Sequence, residues 1–253
     1  MIEVEHLSKR FGNTQVLTDI NVVFEKGKVN QIIGKSGSGK SVLAKCIVGL
    51  FKPEEGRVLY EGVSFHDMDK EQKRQVRQEI GMLFQSSALF DSLNVLENVL
   101  FPLRMFGTMD QKAMVERAHL CLKRVNIIDK DKLFPSELSG GMQKRVGIAR
   151  AIAMNPKYLF VDEPNSGLDP QTSILIDELI KELTEEYGTT TIVITHDMNS
   201  VMETGDNIFF IHQGRLWWKG TRDEMLMSEN KELNEFIFAS GLMRQVRKAI
   251  KGR

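Results

Sequence analysis

Residues 34–41 read GKSGSGKS, directly after the apolar run VNQII. Such a stretch is too rich in glycine for a stable helix or strand, yet it has the spacing G-x-x-x-x-G-K-[ST] of a phosphate-holding loop. Gly34 and Gly39 free the backbone to curl, so that the N–H groups along Lys35, Ser36, Gly37 and Ser38 point at one set of phosphate oxygens. A helix starting near Gly39 adds the positive end of its dipole. Lys40 supplies a point charge to the same oxygens, and the Ser41 hydroxyl is a ligand for Mg²⁺. A second group of residues complements this loop. KYLFVDEP, residues 157–164, is an apolar strand ending in two acids. The carboxyl ends of strands are where α/β sheets place their ligands. There Asp162 suits the hydration shell of Mg²⁺, and Glu163 suits a general base within reach of an attacking water.

These groups need a scaffold, and the hydrophobic pattern describes one. IEVEHLSKRFGNTQVLTDINVVFEKG reads as antiparallel strands with turns at GNT and EKG. VNQIIG is a short buried strand, KSVLAKCIVGLF a helix ending near Gly49, and PEEGRVLYEGVSF returns to strand. DKEQKRQVRQEI is a charged helix and GMLFQ a short strand. From Ser86 to about Pro156 the spacing is helical throughout. KYLFVDE and TTIVITH are nearly continuous apolar strands flanking the helix TSILIDELIKELTEEYG, a pattern that argues a parallel sheet covered on both faces. DNIFFIHQGRLWWKG reads as a closing hairpin turning at Gln213-Gly214, followed by two short helices and a basic tail.

A third motif makes the resemblance specific. ELSGGMQKRVGIARA, residues 137–151, holds LSGG about 20 residues before the strand that ends in Asp162 and Glu163. With the P-loop and that strand, it resembles the signature of ABC ATPases. The resemblance implies an α/β P-loop NTPase core of the ABC ATPase type, with an N-terminal antiparallel β subdomain and an inserted α-helical subdomain at about 86–156. It covers residues 1–228 and leaves 229–253 as a helical basic tail. It further implies a homodimer paired head to tail, each ATP lying between one P-loop and Ser139, Gly140 and Gly141 of the other subunit. The remaining family positions are filled. Phe11 stands where an aromatic stacks on adenine. Gln85 matches the Q-loop glutamine that contacts Mg²⁺ and water. Asp169, in NSGLDP, matches the D-loop near the dimer axis, and His196 matches the switch histidine that meets the γ-phosphate. His6, His66, His119 and His212 match nothing and read as surface or packing residues.

Composition agrees. Of 253 residues, 42% are hydrophobic and 27% charged, ordinary values for a globular chain. Lys plus Arg and Asp plus Glu both number 34, so there is no basic excess of the kind a nucleic-acid binder uses. Cys46 and Cys121 show no metal or redox spacing and read as buried thiols. No signal peptide is indicated, and no apolar run approaches the roughly 20 residues that span a bilayer. The resemblance therefore places the chain on the cytoplasmic face of the inner membrane, peripheral through a multi-span permease.

Two details narrow the kind of transporter. The signature is LSGGM, with Met142 at its fifth place. The segment after the Q-loop reads LFQSSALFDSLNVLENVLFPLR, with Phe84, Leu89, Phe90 and Leu93 unusually apolar for a loop and suited to a partner surface. Together they resemble the ATPase of Mla/MCE-type lipid transporters, which implies phospholipid as cargo and an MCE-domain substrate-binding partner. Amino-acid and methionine importers share much of the stretch, and an ABC ATPase acting on cell-envelope processes is the alternative outside transport. In the tail, Leu233, Phe236, Ile237 and Leu242 offer an apolar face, and Arg244, Arg247, Lys248, Lys251 and Arg253 make the end basic.

Overall fold

The computed structural model describes residues 1–239. In chain order the elements are β1 (Ile2–Phe11), β2 (Thr14–Phe24), β3 (Lys28–Ile33), α1 (Lys40–Ile47), β4 (Glu55–Tyr60), β5 (Val63–Ser64), α2 (Lys70–Gln78) and β6 (Ile80–Leu83). There follow α3 (Val95–Phe106), α4 (Gln111–Arg124), a 3₁₀ turn at Pro135–Glu137, α5 (Gly140–Ile152), β7 (Tyr158–Asp162), α6 (Pro170–Tyr187) and β8 (Thr190–Ile194). The last are α7 (Met198–Thr204), β9 (Asn207–His212), β10 (Arg215–Thr221), α8 (Arg222–Met227) and α9 (Lys231–Ile237). The chain divides into two compact units, one formed by Met1–Val23, Val29–His66 and Ile194 onward, the other by Phe24–Lys28 and Asp67–Val193.

The first unit contains an antiparallel sheet in the order β2-β1-β4-β5. Ile2 stands opposite Tyr60 and Val4 opposite Val58, and the register slips between Glu5 and Ser8. It also contains β3, paired in parallel with β9 so that Ile33 lies opposite Phe210. β9 then turns through Gln213 and Gly214, at φ 47 and 73, into antiparallel β10. Two positive φ values in a two-residue loop are what the right-handed twist of a hairpin requires. The β3–β9 pairing goes beyond the hairpin read from sequence. So does α7, a seven-residue helix capped by Asp197, which accepts from Asn199 N. It is too short for its periodicity to stand out. Ile33, Val201, Ile208, Phe210, Met225, Leu233 and Ile237 form one buried cluster, with Phe236 packed at its edge. Leu233 and Ile237 of the expected tail face are therefore core residues of this unit. Leu242 and the basic residues from Arg244 to Arg253 lie outside the described residues.

In the second unit β6 and β7 run parallel, Ile80 opposite Tyr158 and Leu83 opposite Val161, in the order β8-β7-β6. β8 is buried at every position, as its unbroken apolar and threonine sequence demands. Between β6 and β7 the described elements are all helical. Their starts are written in local sequence. Asn94 and Glu97 form a reciprocal capping box on α3, Ser139 caps α5, and Asp169 caps α6 with Pro170 in its first turn. Pro102 inside α3 removes a backbone donor, at a usual cost of about 3 kcal/mol. Burial of Val99, Leu100 and Leu103 on the same helix offsets that cost, each contributing roughly 1.5–3 kcal/mol.

Both cysteines are buried, and burial pushes each thiol up to about 11. At pH 8 only about one thiol in a thousand is then the reactive thiolate. In the folded protein, Cys46 and Cys121 are expected to resist iodoacetamide at pH 8 and to react fully once denaturant is added. Mass spectrometry of the intact chain reads this directly, and rapid labelling of the native protein would contradict it.

Candidate functional site

The loop at 34–41 links β3 to α1, and its curve depends on missing side chains. Gly39, the N-cap of α1, sits at φ 106, where a Cβ would lie 2.7 Å from Leu17 Cδ2 and 3.1 Å from the Val16 carbonyl oxygen. At Gly34, φ 149, a Cβ would come within 2.3 Å of the Ile211 oxygen. The loop is braced from both sides. Gly214 N, at the β9–β10 turn, donates to Ser38 O (3.2 Å), and Thr18 N donates to Gly214 O (2.8 Å). Lys40 is 7% exposed and folds over the loop, its Nζ donating to the carbonyls of Gly34 (2.8 Å) and Lys35 (3.1 Å). The start of α1 receives no side-chain cap. The buried Ser38 hydroxyl has no partner in the protein. A buried ammonium, an uncapped helix start and an orphaned hydroxyl make a donor set that a phosphate fits. Ser41 is exposed in the first turn of α1.

Other expected residues belong to the same unit. Thr195 N donates to Ile32 O (3.2 Å), which sets exposed His196 beside the end of β3, where the loop begins. Phe11, 44% exposed, ends β1. Its ring meets Phe51 edge-on at 5.3 Å, and the Lys9 ammonium lies 5.1 Å from its centroid. His6 of this unit and His119 of the second are on the surface, against Asp19 and Asp131 (both 2.8 Å).

The second unit gathers the acids, the glutamine and the LSGG stretch. Asp162 and Glu163 are half-buried at the end of β7, and Glu163 has φ 48, a left-handed backbone that non-glycine residues adopt at a cost. The Glu163 carbonyl accepts from Ser166 N (3.3 Å). Gln85 follows β6 and its Nε2 reaches Ser166 Oγ (3.4 Å). Ser139 and Gly140 are exposed at the start of α5, where Ser139 Oγ accepts from Met142 N (3.3 Å). This end of α5 sits close to the start of α6, since a Cβ on Gly141 would lie 2.6 Å from Thr172 Cγ2. Asp169 caps α6, accepting from Thr172 N (3.0 Å) and Thr172 Oγ1 (2.6 Å). These bonds hold its carboxyl below the ordinary aspartate value.

Three residues escaped the sequence reading. Lys144, 4% exposed on α5, donates through Nζ to the carbonyls of Gln85 and Glu163. Burial pushes its ammonium below the usual lysine value, while Asp162 and Glu163 pull the other way. Arg150, two turns on, donates to the carbonyls of Ser87 and Ala88 (2.7 Å each). Asn98 on α3 is wholly buried and clamps the loop just before that helix, accepting from Phe90 N (2.8 Å), with its Nδ2 donating among the oxygens of Phe90, Leu93 and Asn94. A signal existed for Lys144. It shares a helical face with Gly147, Ile148 and Ala151, where a charge is unexpected unless it has a buried partner.

Comparison with known proteins adds three findings. Residues 17–166 match the family model described as ABC transporter. Among curated relatives, a methionine import ATP-binding protein MetN of Campylobacter jejuni is 35% identical over 96% of this chain and 77% of its own length. The intermembrane phospholipid transport system ATP-binding protein MlaF of Haemophilus influenzae is also 35% identical, over 94% of this chain and 90% of its own length. Among solved structures, the ATP-binding cassette MJ0796, a dimer in a post-hydrolysis state bound to ADP and Pi, superposes with a TM-score of 0.79. It is 34% identical and covers 87% of this chain and 98% of its own.

The loop geometry sets an order of tolerance. Gly39→Ala meets both a left-handed backbone and the Leu17–Val16 wall, and is expected to cost about 2–3 kcal/mol, a fall of roughly 5–10 °C in Tm. Gly37→Ala, at φ 77 with nothing within 4 Å, carries only the backbone cost and is expected to lose less than half as much. Thermal unfolding of the two variants checks the order, and equal losses would contradict it.

Proposed function

The chain belongs to the ATP-binding subunits of ABC transporters, with the α/β ATPase fold of that family, and from that premise we propose that it works as a head-to-tail homodimer driving phospholipid movement through a partner permease. It is an ATPase. The observation that most supports work on a partner is the apolar surface that the second unit leaves uncovered. Phe84 and Phe90 are 39% and 41% exposed on the loop after Gln85, and Met105 and Phe106 are exposed at the end of α3. No helix among the described residues is long and apolar enough to cross a membrane. We place the subunit at the cytoplasmic face of the inner membrane, held by a multi-span permease, with an MCE-domain protein as the substrate-binding partner. The ATPase domain spans 1–228 in this reading, with its helical part at about 86–156 and the tail at 229–253.

The residue roles follow the chemistry of each group. The loop N–H groups from Gly34 to Gly39 and the Lys40 ammonium bind the ATP phosphates, and Phe11 offers its ring to the adenine. Ser41, Gln85 and Asp162 are oxygen donors, the kind Mg²⁺ takes. A Mg²⁺ ion held by such donors would neutralise charge on the ATP phosphates. Glu163 accepts the proton of the attacking water, and His196 holds the γ-phosphate and water in line. Ser139, Gly140 and Gly141 present a second helix start to the nucleotide of the other subunit, with Asp169 near the dimer axis. Since hydrolysis of this kind is largely positioning and charge neutralisation, these groups suffice without a covalent step.

Phospholipid as cargo rests on the Met142 signature, the apolar segment after Gln85 and the likeness to a relative of that name. A methionine-import reading is favoured by another relative and is the alternative. Reconstitution with the permease separates them. ATP-dependent transfer of labelled phospholipid between vesicles, without methionine uptake, is the expected result, and the reverse would replace the cargo.

Two substitutions test the chemistry. Glu163→Gln is expected to keep ATP affinity within about threefold, to lower kcat by 10² or more and to accumulate an ATP-bound dimer on gel filtration. Normal turnover would remove Glu163 from its role. Lys40→Ala is expected to raise the nucleotide Kd by about tenfold or more, measured by titration with a fluorescent ATP analogue. An unchanged Kd would remove the lysine from the phosphate site.

A further inference from the structure

We propose that Lys144 is a positioning residue for hydrolysis, its buried ammonium pinning the main chain at Gln85 and at Glu163 to the helix that begins with the LSGG stretch. The proposal rests on the roles given above to Gln85 and Glu163.

The geometry is specific. Lys144 lies in the first turns of α5, three residues after Gly141. It is 4% exposed, and its Nζ donates to two carbonyls, those of Gln85 and Glu163. These are residues 59 and 19 positions away in the chain. Each is a residue whose side chain, not its carbonyl, is assigned chemistry. The lysine therefore touches neither reacting atom. It holds the backbone from which two functional side chains project.

Stability alone does not account for the arrangement. Removing an ammonium from water costs several kcal/mol, which its two hydrogen bonds to carbonyls only roughly offset. What the lysine provides is control over peptide planes. Glu163 has a left-handed backbone at φ 48, so its peptide is held against its own preference. Two donors, Ser166 N and Lys144 Nζ, secure its carbonyl. If one is withdrawn, the peptide can rotate and take the carboxylate with it. The Gln85 side is similar. Ser87 and Ala88, two and three residues on, have φ 62 and 44, and their carbonyls are held by Arg150 of the same helix. Gly147 lets the helix approach between the two cations, for a Cβ there would lie 2.7 Å from Leu83 Cδ1 and 3.4 Å from Ser87 Cβ. One face of α5 thus holds the glutamine loop at two heights and the acid-bearing strand end at one. Because a misplacement of about 1 Å can cost 10²-fold in rate, such a holder affects turnover before it affects binding.

The experiment compares wild type, Lys144→Met, Lys144→Gln and Glu163→Gln in the full-length chain. Each is measured for kcat at saturating ATP and Mg²⁺, for ATP Kd and for Tm. Methionine matches the lysine stem but donates nothing. It is expected to lower kcat by about tenfold or more while Kd stays within threefold; the two carbonyls that lose this donor also lower Tm, so kcat is read well below the Tm of every variant. Glutamine can still donate to one carbonyl and is expected to recover at least about threefold of that loss. The proposal is overturned if Lys144→Met turns over within twofold of wild type, if glutamine is no better than methionine, or if Kd worsens in step with kcat. Should Lys144→Met not fold, Lys144→Gln against wild type decides. A kcat lower by about threefold or more at unchanged Kd supports the proposal, and an unchanged kcat overturns it. Glu163→Gln separates the two layers. If it is inactive while Lys144→Met is normal, only the lysine proposal fails. If it is itself normal, the base assignment fails first.

Discussion

The loop between β3 and α1 keeps its shape because two side chains are absent, and most of the first unit is arranged around that requirement. At Gly34 and Gly39 a single added carbon would meet Ile211, Leu17 or Val16 at less than contact distance. Those neighbours cannot move aside. Leu17 is fully buried, and Ile211 belongs to β9, whose parallel pairing with β3 is fixed by the buried cluster around Ile33 and Phe210. Close packing of that kind yields little to an intruding atom. The loop is thus held from outside by apolar packing and from inside by Lys40, whose ammonium bonds the carbonyls of the turn it follows. Holding a glycine-rich loop in one conformation is costly in conformational entropy, and the surrounding core is what keeps it fixed.

In the second unit the corresponding constraint is the face of α5. Small residues and two cations alternate along it. Gly141 admits Thr172, Gly147 admits Leu83 and Ser87, and Lys144 and Arg150 reach over to main-chain carbonyls. The small residues bring backbones close enough for the long side chains to find carbonyls that no helix or strand satisfies. Buried carbonyls without donors cost free energy, so the cations settle the hydrogen bonding of a loop that has no regular structure of its own. A helix that begins with the LSGG stretch and grips both the glutamine loop and the acidic strand end gives one rigid body to three motifs far apart in sequence.

The exposed aromatic residues after Gln85 have a related origin. Asn98 is wholly buried, and the hydrogen bonds of its carboxamide, with one accepting oxygen and two N–H donors shared among three carbonyls, lock residues 90–94 into a fixed path. At roughly 1 kcal/mol each, these bonds outweigh what partial burial of one phenylalanine would return. Phe90 is instead propped against Phe101 at 4.5 Å with Arg150 over its ring at 5.9 Å, and stays accessible. A rigid apolar surface held open in this way suits docking on another protein better than a mobile loop would, because little order remains to be imposed on binding. Relatives named for methionine import and for intermembrane phospholipid transport each match more than nine-tenths of this chain.

Much of this molecule is legible in the order of its residues. The glycines and lysine of 34–41, the DE pair after an apolar strand, LSGG at a helix start and the capping residues Asn94, Ser139 and Asp169 act over a few positions, where spacing alone determines geometry. The α/β architecture and the hairpin turn at Gln213-Gly214 follow from the same short-range rules. Other features were hidden. α7 is too short to show a period, and the parallel pairing of β9 with β3 joins segments about 177 residues apart, between Asn30 and Asn207. Lys144 is the sharpest case. Periodicity places it on the buried face of α5, but a pattern along one helix says only that a face is covered, never by what. Which carbonyls would receive its ammonium was decided when α5 packed beside β6 and the end of β7, because only tertiary packing brings an unsatisfied main-chain acceptor to a buried charge.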